Sequence, residues 1–131
     1  MDNPVKKLSL PNGLTILFVD HSRQYFGDFY RVKLEIICRI PILESYFTDP
    51  EEFVQARAMV GEMVVYRRME ERMGVPSLEI ETALQKLVKN FIDHSVSYFK
   101  ADNFPRKIIL SEMLKKIKRA RNNFPIEPCE Y

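Results

Sequence analysis

The chain predicts an α+β fold, a three-stranded antiparallel β-meander followed by three α-helices packed on one face, in the order βββααα. Two observations carry this expectation. Period-2 alternation of apolar and charged residues fills the stretch before Pro41, and helical spacing with cap residues fills the chain after Asp49.

The first strand is expected from Val5 to Leu10, where Leu8 and Leu10 alternate with Lys7 and Ser9. Pro11, Asn12 and Gly13 then form a turn, since glycine accepts a positive φ without a Cβ clash and asparagine tolerates it. Leu14 to Val19 is apolar on both faces, the pattern of a central strand covered on both sides. In the third strand Tyr30, Val32, Leu34, Ile36, Cys38 and Ile40 share one face, and Arg31, Lys33, Glu35 and Arg39 share the other. Pro41 ends it, because proline has no N–H for the ladder.

The first helix is expected from Asp49 to Met73. Asp49 caps, Pro50 takes the first helical position and Glu52 stands three residues after the cap. Gly74 suits the left-handed position after a helix, and Pro76 prevents continuation. Ser77 is expected to cap a second helix with a stripe of Ile80, Leu84, Leu87, Val88, Phe91 and Tyr98. A third helix starts near Asn103 and buries Leu110, Met113, Leu114, Ile117 and Phe124. The whole chain, 1–131, reads as a single domain, with the meander over about 4–41, the helical part over about 49–124 and an extended tail over 125–131.

Length and composition bound the rest. A chain of 131 residues with 46% hydrophobic residues can build a core without a disulfide or metal staple. Its two cysteines, Cys38 and Cys129, form no CxxC pair and read as reduced thiols. The first residues lack the apolar run of a signal peptide, and no stretch is apolar for a bilayer's thickness. A cytoplasmic protein with no membrane partner is therefore expected.

Three features could carry function. The expected first helix is too apolar for one buried stripe, since Met59, Met63, Tyr66 and Met73 form a second beside that of Phe53, Ala56, Val60 and Val64. The second stripe is the candidate partner surface, and methionine suits an adaptable contact. The segment from Asp20 to Asp28 reads as a long loop gathering His21, Ser22, Arg23, Tyr25 and Phe26, a candidate binding loop. The third is a basic strip on the last helix, Lys107, Lys115, Lys118, Arg119 and Arg121, where residues 104–131 hold seven basic and three acidic groups. Such a strip is what electrostatic attachment to nucleic acid needs.

The run Met69, Met73, Gly74, Val75, Ile80 and Ala83 resembles the apolar spacing of DNA-binding helix-turn-helix units. Glu70 replaces the small residue expected between the helices, and Glu79 and Glu81 open the second helix where phosphate contacts would fall. No GxGxxG, P-loop, ExxH or HExxH occurs, so no cofactor, metal or small-molecule ligand is expected. The reading is a non-enzymatic interaction or assembly module that self-associates as a dimer or receives another protein. The alternative is an auxiliary nucleic-acid-binding protein using the last helix.

Overall fold

The structure, a computed structural model, describes residues 4–123. It is α+β, with one five-stranded sheet containing antiparallel pairs and with three α-helices. The elements are β1 (Pro4–Ser9), β2 (Thr15–Asp20), β3 (Arg23–Phe26), β4 (Phe29–Pro41), α1 (Pro50–Val60), β5 (Met63–Pro76), α2 (Ile80–Phe99) and α3 (Phe104–Asn123). The order is not βββααα, because a strand stands between the first and second helices. Among the described residues the chain divides into two compact units, 4–39 with 65–102 and 40–64 with 103–123. The expected tail at 125–131, with Phe124 and Cys129, lies outside the described residues.

In the first unit β2 and β4 pair antiparallel, Ile16 opposite Cys38 and Asp20 opposite Leu34. β1 pairs on the outer side of β2. The Asp20–Asp28 segment is not a loop. β3 pairs with the start of β4, Arg23 opposite Arg31, and the register is the one β2 uses. The break between β2 and β3 is stitched by His21 N donating to Lys33 O (2.8 Å) and Lys33 N donating to Ser22 Oγ (3.1 Å). Asp20 Oδ1 accepts from Ser22 N (2.8 Å), so side chains supply partners where the ladder is interrupted.

The expected alternation in β4 holds. Val32, Leu34, Ile36, Cys38 and Ile40 are fully buried, while Arg31 and Arg39 are exposed and Lys33 and Glu35 half-buried. Within the unit, α2 covers the apolar face: Phe91 meets Phe18 edge-on at 5.7 Å, and Phe99 meets Tyr66 of β5 at 4.9 Å. The Pro11–Gly13 turn contributes more than a reversal. Asn12 Nδ2 donates to Phe99 O (2.8 Å), satisfying a carbonyl at the end of α2. Ser77 does not cap α2; it opens a 3-10 turn, Ser77–Glu79, that leads into the helix. Phe99 is buried and Tyr98 exposed, so the stripe ends one residue later than its spacing implied.

In the second unit α1 starts as expected, with Asp49 Oδ1 accepting from Glu51 N (3.0 Å). Glu52 does not turn back to the cap. It accepts from Arg106 of α3 through both oxygens, at 2.9 to 3.1 Å, and joins the two helices. α1 ends at Val60 instead of Met73. Gly61, at φ 82° and ψ −147°, takes a backbone conformation that side-chain-bearing residues avoid, and its N–H bonds Arg57 O (3.0 Å). Beyond it Val64, Val65 and Tyr66 favour extended chain over helix. Gly74 therefore has its positive φ (70°) inside a strand, not after a helix. On α3, Ile109 and Met113 are buried, but Leu114 and Ile117, expected inside, are exposed.

Candidate functional site

The sequence-derived candidates are placed on four different elements. Met59 is half-buried on α1; Met63, Tyr66 and Met73 are on β5. They do not form one helical stripe. Successive strand residues point to opposite faces, so Tyr66 stands on the face that meets α2 and Met73 on the other. The helix-turn-helix spacing dissolves for the same reason, since Met69 to Val75 is strand.

What replaces the helical stripe is an edge. Among the described residues β5 pairs with β4 alone. It runs for 14 residues, and most of them are exposed on both faces of the sheet. Met63 (46%), Val65 (41%), Met69 (47%) and Met73 (55%) are the large apolar groups left in solvent along it. Four charges, Arg67, Arg68, Glu70 and Glu71, flank Met69. Sequence reasoning missed Val65, Arg67 and Met69 as surface-forming residues. The signal that could have found them is Gly61 followed by Val64-Val65-Tyr66.

The polar sheet face beside this edge is a web of ion pairs. Glu35 of β4 meets His21 Nε2 at 2.8 Å with one oxygen and Arg67 Nε at 3.3 Å with the other. Arg31 Nε lies 3.3 Å from Glu71 Oε1 and donates to Met73 Sδ at 3.4 Å. The higher-numbered residue of β4 meets the lower-numbered one of β5, so these two strands also run antiparallel. Arg68 bonds Glu70 at 2.5 Å on the opposite face, and the Arg68 guanidinium is held more firmly protonated by its hydrogen bonds to Tyr66 and Glu70.

His21 and Arg23, from the segment read as a binding loop, line an open groove of about 470 Å³ with Arg31, Lys33, Glu35 and Met69. Ser22 is half-buried at the strand break, and Tyr25 and Phe26 are exposed on β3. The groove's one carboxylate, Glu35, is already shared between His21 and Arg67, and the hydroxyl of Ser22 accepts from Lys33 N. These groups are spent on holding strands together. A second open groove, about 840 Å³, lies between β1, the end of β2 and α2, with Val5, Ile80, Leu84, Val88 and Ile92 among its walls. Among the described residues no group of three or more His, Cys, Asp or Glu is placed to hold a metal.

The basic strip is on α3 in the second unit. Lys107, Lys115, Lys118, Arg119 and Arg121 are exposed, and every residue from Leu114 to Arg121 is exposed. Lys115 pairs with Glu112 at 3.0 Å. Among the described residues no helix is long and apolar enough to cross a membrane. No protein-family model, no curated protein and no solved structure matches this chain.

Proposed function

We propose that the protein is a non-enzymatic assembly module that self-associates, and that the β5 edge is its contact surface. One observation carries this reading: a 14-residue edge strand bearing exposed Val65, Met69 and Met73. An edge of this length presents a row of unpaired backbone donors and acceptors, and an added strand satisfies them. The β1 edge is guarded differently. β1 is short and carries Pro4, Lys6 and Lys7, groups that discourage pairing.

The test is light scattering over a concentration series with a Val65→Lys/Met73→Lys variant alongside. Both side chains are exposed, so the variant should keep its circular dichroism and unfolding midpoint. The natural chain should dimerise and the variant should not. A natural chain that stays monomeric at every concentration overturns the reading.

A second reading is favoured by the exposure of Leu114 to Arg121 on every side of α3. With five of those eight residues basic, this half-helix suits attachment to nucleic acid. Lys115→Glu/Lys118→Glu should then abolish binding of a mixed oligonucleotide pool at low salt; unchanged binding removes α3 from consideration.

A further inference from the structure

The β5 edge carries a charge pattern that is its own complement. Around Met69 the strand reads Val65, Tyr66, Arg67, Arg68, Met69, Glu70, Glu71, Arg72, Met73. Two arginines precede the methionine and two glutamates follow it. If this strand lies antiparallel against another copy of itself with Met69 opposite Met69, Arg67 falls opposite Glu71, Arg68 opposite Glu70, Tyr66 opposite Arg72 and Val65 opposite Met73. Each match occurs twice, once on each side of the two-fold axis, because an isologous contact repeats every pair.

We infer that the partner of the β5 edge is a second copy of this chain, joined antiparallel through β5 in the register centred on Met69. The inference rests on the assembly reading above and adds the partner, the strand direction and the register.

Three further features support the register. Opposed residues of an antiparallel pair share a sheet face, so Arg67 and the copy's Glu71 stand on the polar face where Glu35 and Arg31 already are. A row across four strands then reads Glu35, Arg67, Glu71 of the copy, Arg31 of the copy, with the sign alternating at each step. Each of the four central charges gains an opposite charge directly across the seam, and Arg72 faces Tyr66. A shift of two residues, the smallest that keeps the faces, sets Arg68 opposite Arg68 or Glu70 opposite Glu70, so the pattern penalises slippage. Finally, the four central side chains are exposed by 31% to 64%, accessible to a neighbour while held in place by Glu35, Arg31 and each other.

The β1 edge shows the opposite design. Lys6 and Lys7 are adjacent like charges with no acidic residue in the strand, so two copies of it would repel in any antiparallel register that overlaps them. Of these two strands, only β5 is written to accept its own copy.

Charge exchange tests this directly. Arg67→Glu/Arg68→Glu places four acidic residues beside Met69, and Glu70→Arg/Glu71→Arg places four basic ones. Each variant alone should be monomeric, with self-affinity reduced on the order of a hundredfold or more, since four opposite-charge pairs become four like-charge pairs. Mixed one to one, they should form a heterodimer, because every acidic position then faces a basic one. The mixture excludes a trivial explanation: lost contacts to Glu35 and Arg31 inside each chain are not restored by mixing. As a second measurement, Met69→Cys in a Cys129→Ser background should cross-link to its copy under mild oxidation, as residues facing each other at the axis are within disulfide reach, whereas Arg72→Cys should not.

If the natural chain is dimeric but Arg67→Glu/Arg68→Glu remains so, this register is overturned and the assembly reading survives on another surface. If both variants are monomeric and their mixture is too, the register is overturned as well. A natural chain that never dimerises overturns both.

Discussion

Cys38 shows how far burial alone can set the chemistry of one residue. It lies on the α2-facing side of β4, between Ile36 and Ile40, with no exposed surface. Burial disfavours the thiolate and pushes its pKa up to about 11 from 9.0. The thiol should therefore resist a maleimide at pH 8 in the native protein and react on unfolding, which mass spectrometry of the labelled chain would read. The sign of the pH effect follows. Between the unfolded and folded pKa values the native state holds a proton that the unfolded chain has released, so stability falls as pH rises from about 9 to about 11. An urea midpoint that stays flat across this window in Cys38→Ala but drops in the natural chain would identify the residue responsible. That Cys38 faces inward was legible from the alternation of β4. The long-range bond from Asn12 to Phe99 O was not, because Pro11-Asn12-Gly13 reads as a complete turn in itself and nothing local announces a helix end 87 positions away.

Among the elements, β5 is where sequence and structure part. β2 is largely apolar and β4 alternates because both faces or one face of the sheet is covered there. β5 is an edge exposed on both faces, so burial imposes no period of two on its side chains, and the run Arg67-Arg68-Met69-Glu70-Glu71 shows none. Met59, Met63, Tyr66 and Met73, spaced by three, four and seven, then mimic a helical stripe. What decides the matter is Gly61. Its φ of 82° with ψ of −147° is open to glycine and strained for anything else, and no atom stands within 4 Å of where a Cβ would be. Gly61→Val should thus cost about 1 to 3 kcal/mol through backbone strain alone, with no steric contribution. Chemical denaturation would show this as a lower midpoint at unchanged m-value. A valine tolerated without loss would mean that the chain turns from α1 into β5 by some other conformation. The α1 cap at Asp49, the start of α3 near Asn103 and the strands β1, β2 and β4 were legible, since each depends on local chemistry, whereas β3 read as part of a loop because its four residues are exposed and carry no burial pattern. The exposure of Leu114 and Ile117 was not, because an apolar spacing says which face a helix could bury and not whether anything covers it.

For the molecule as a whole, the net charge of +2 sets the background against which any association is read. Two copies repel weakly at long range, so added salt relieves little global repulsion. The dimer proposed for β5 draws on apolar contacts of Met69, Val65 and Met73 and backbone bonds, which salt hardly touches, and on Arg–Glu pairs, which it screens. Exposed pairs of this kind are worth a few tenths of a kcal/mol to about 1 kcal/mol each. Raising sodium chloride from about 0.05 M to about 0.5 M should therefore weaken the dimer modestly, on the order of tenfold, without abolishing it. Attachment of nucleic acid to α3 would behave differently. Four or so lysines and arginines on phosphates release counterions on binding, and the same salt change should cost on the order of a thousandfold. Sedimentation of the protein and oligonucleotide anisotropy, run over one salt series, separate the two: a shallow slope for self-association belongs to a mixed apolar and ionic edge. A dimer as steeply salt-dependent as the oligonucleotide complex would mean that charge alone holds the copies together, and would move the contact away from the methionines of β5.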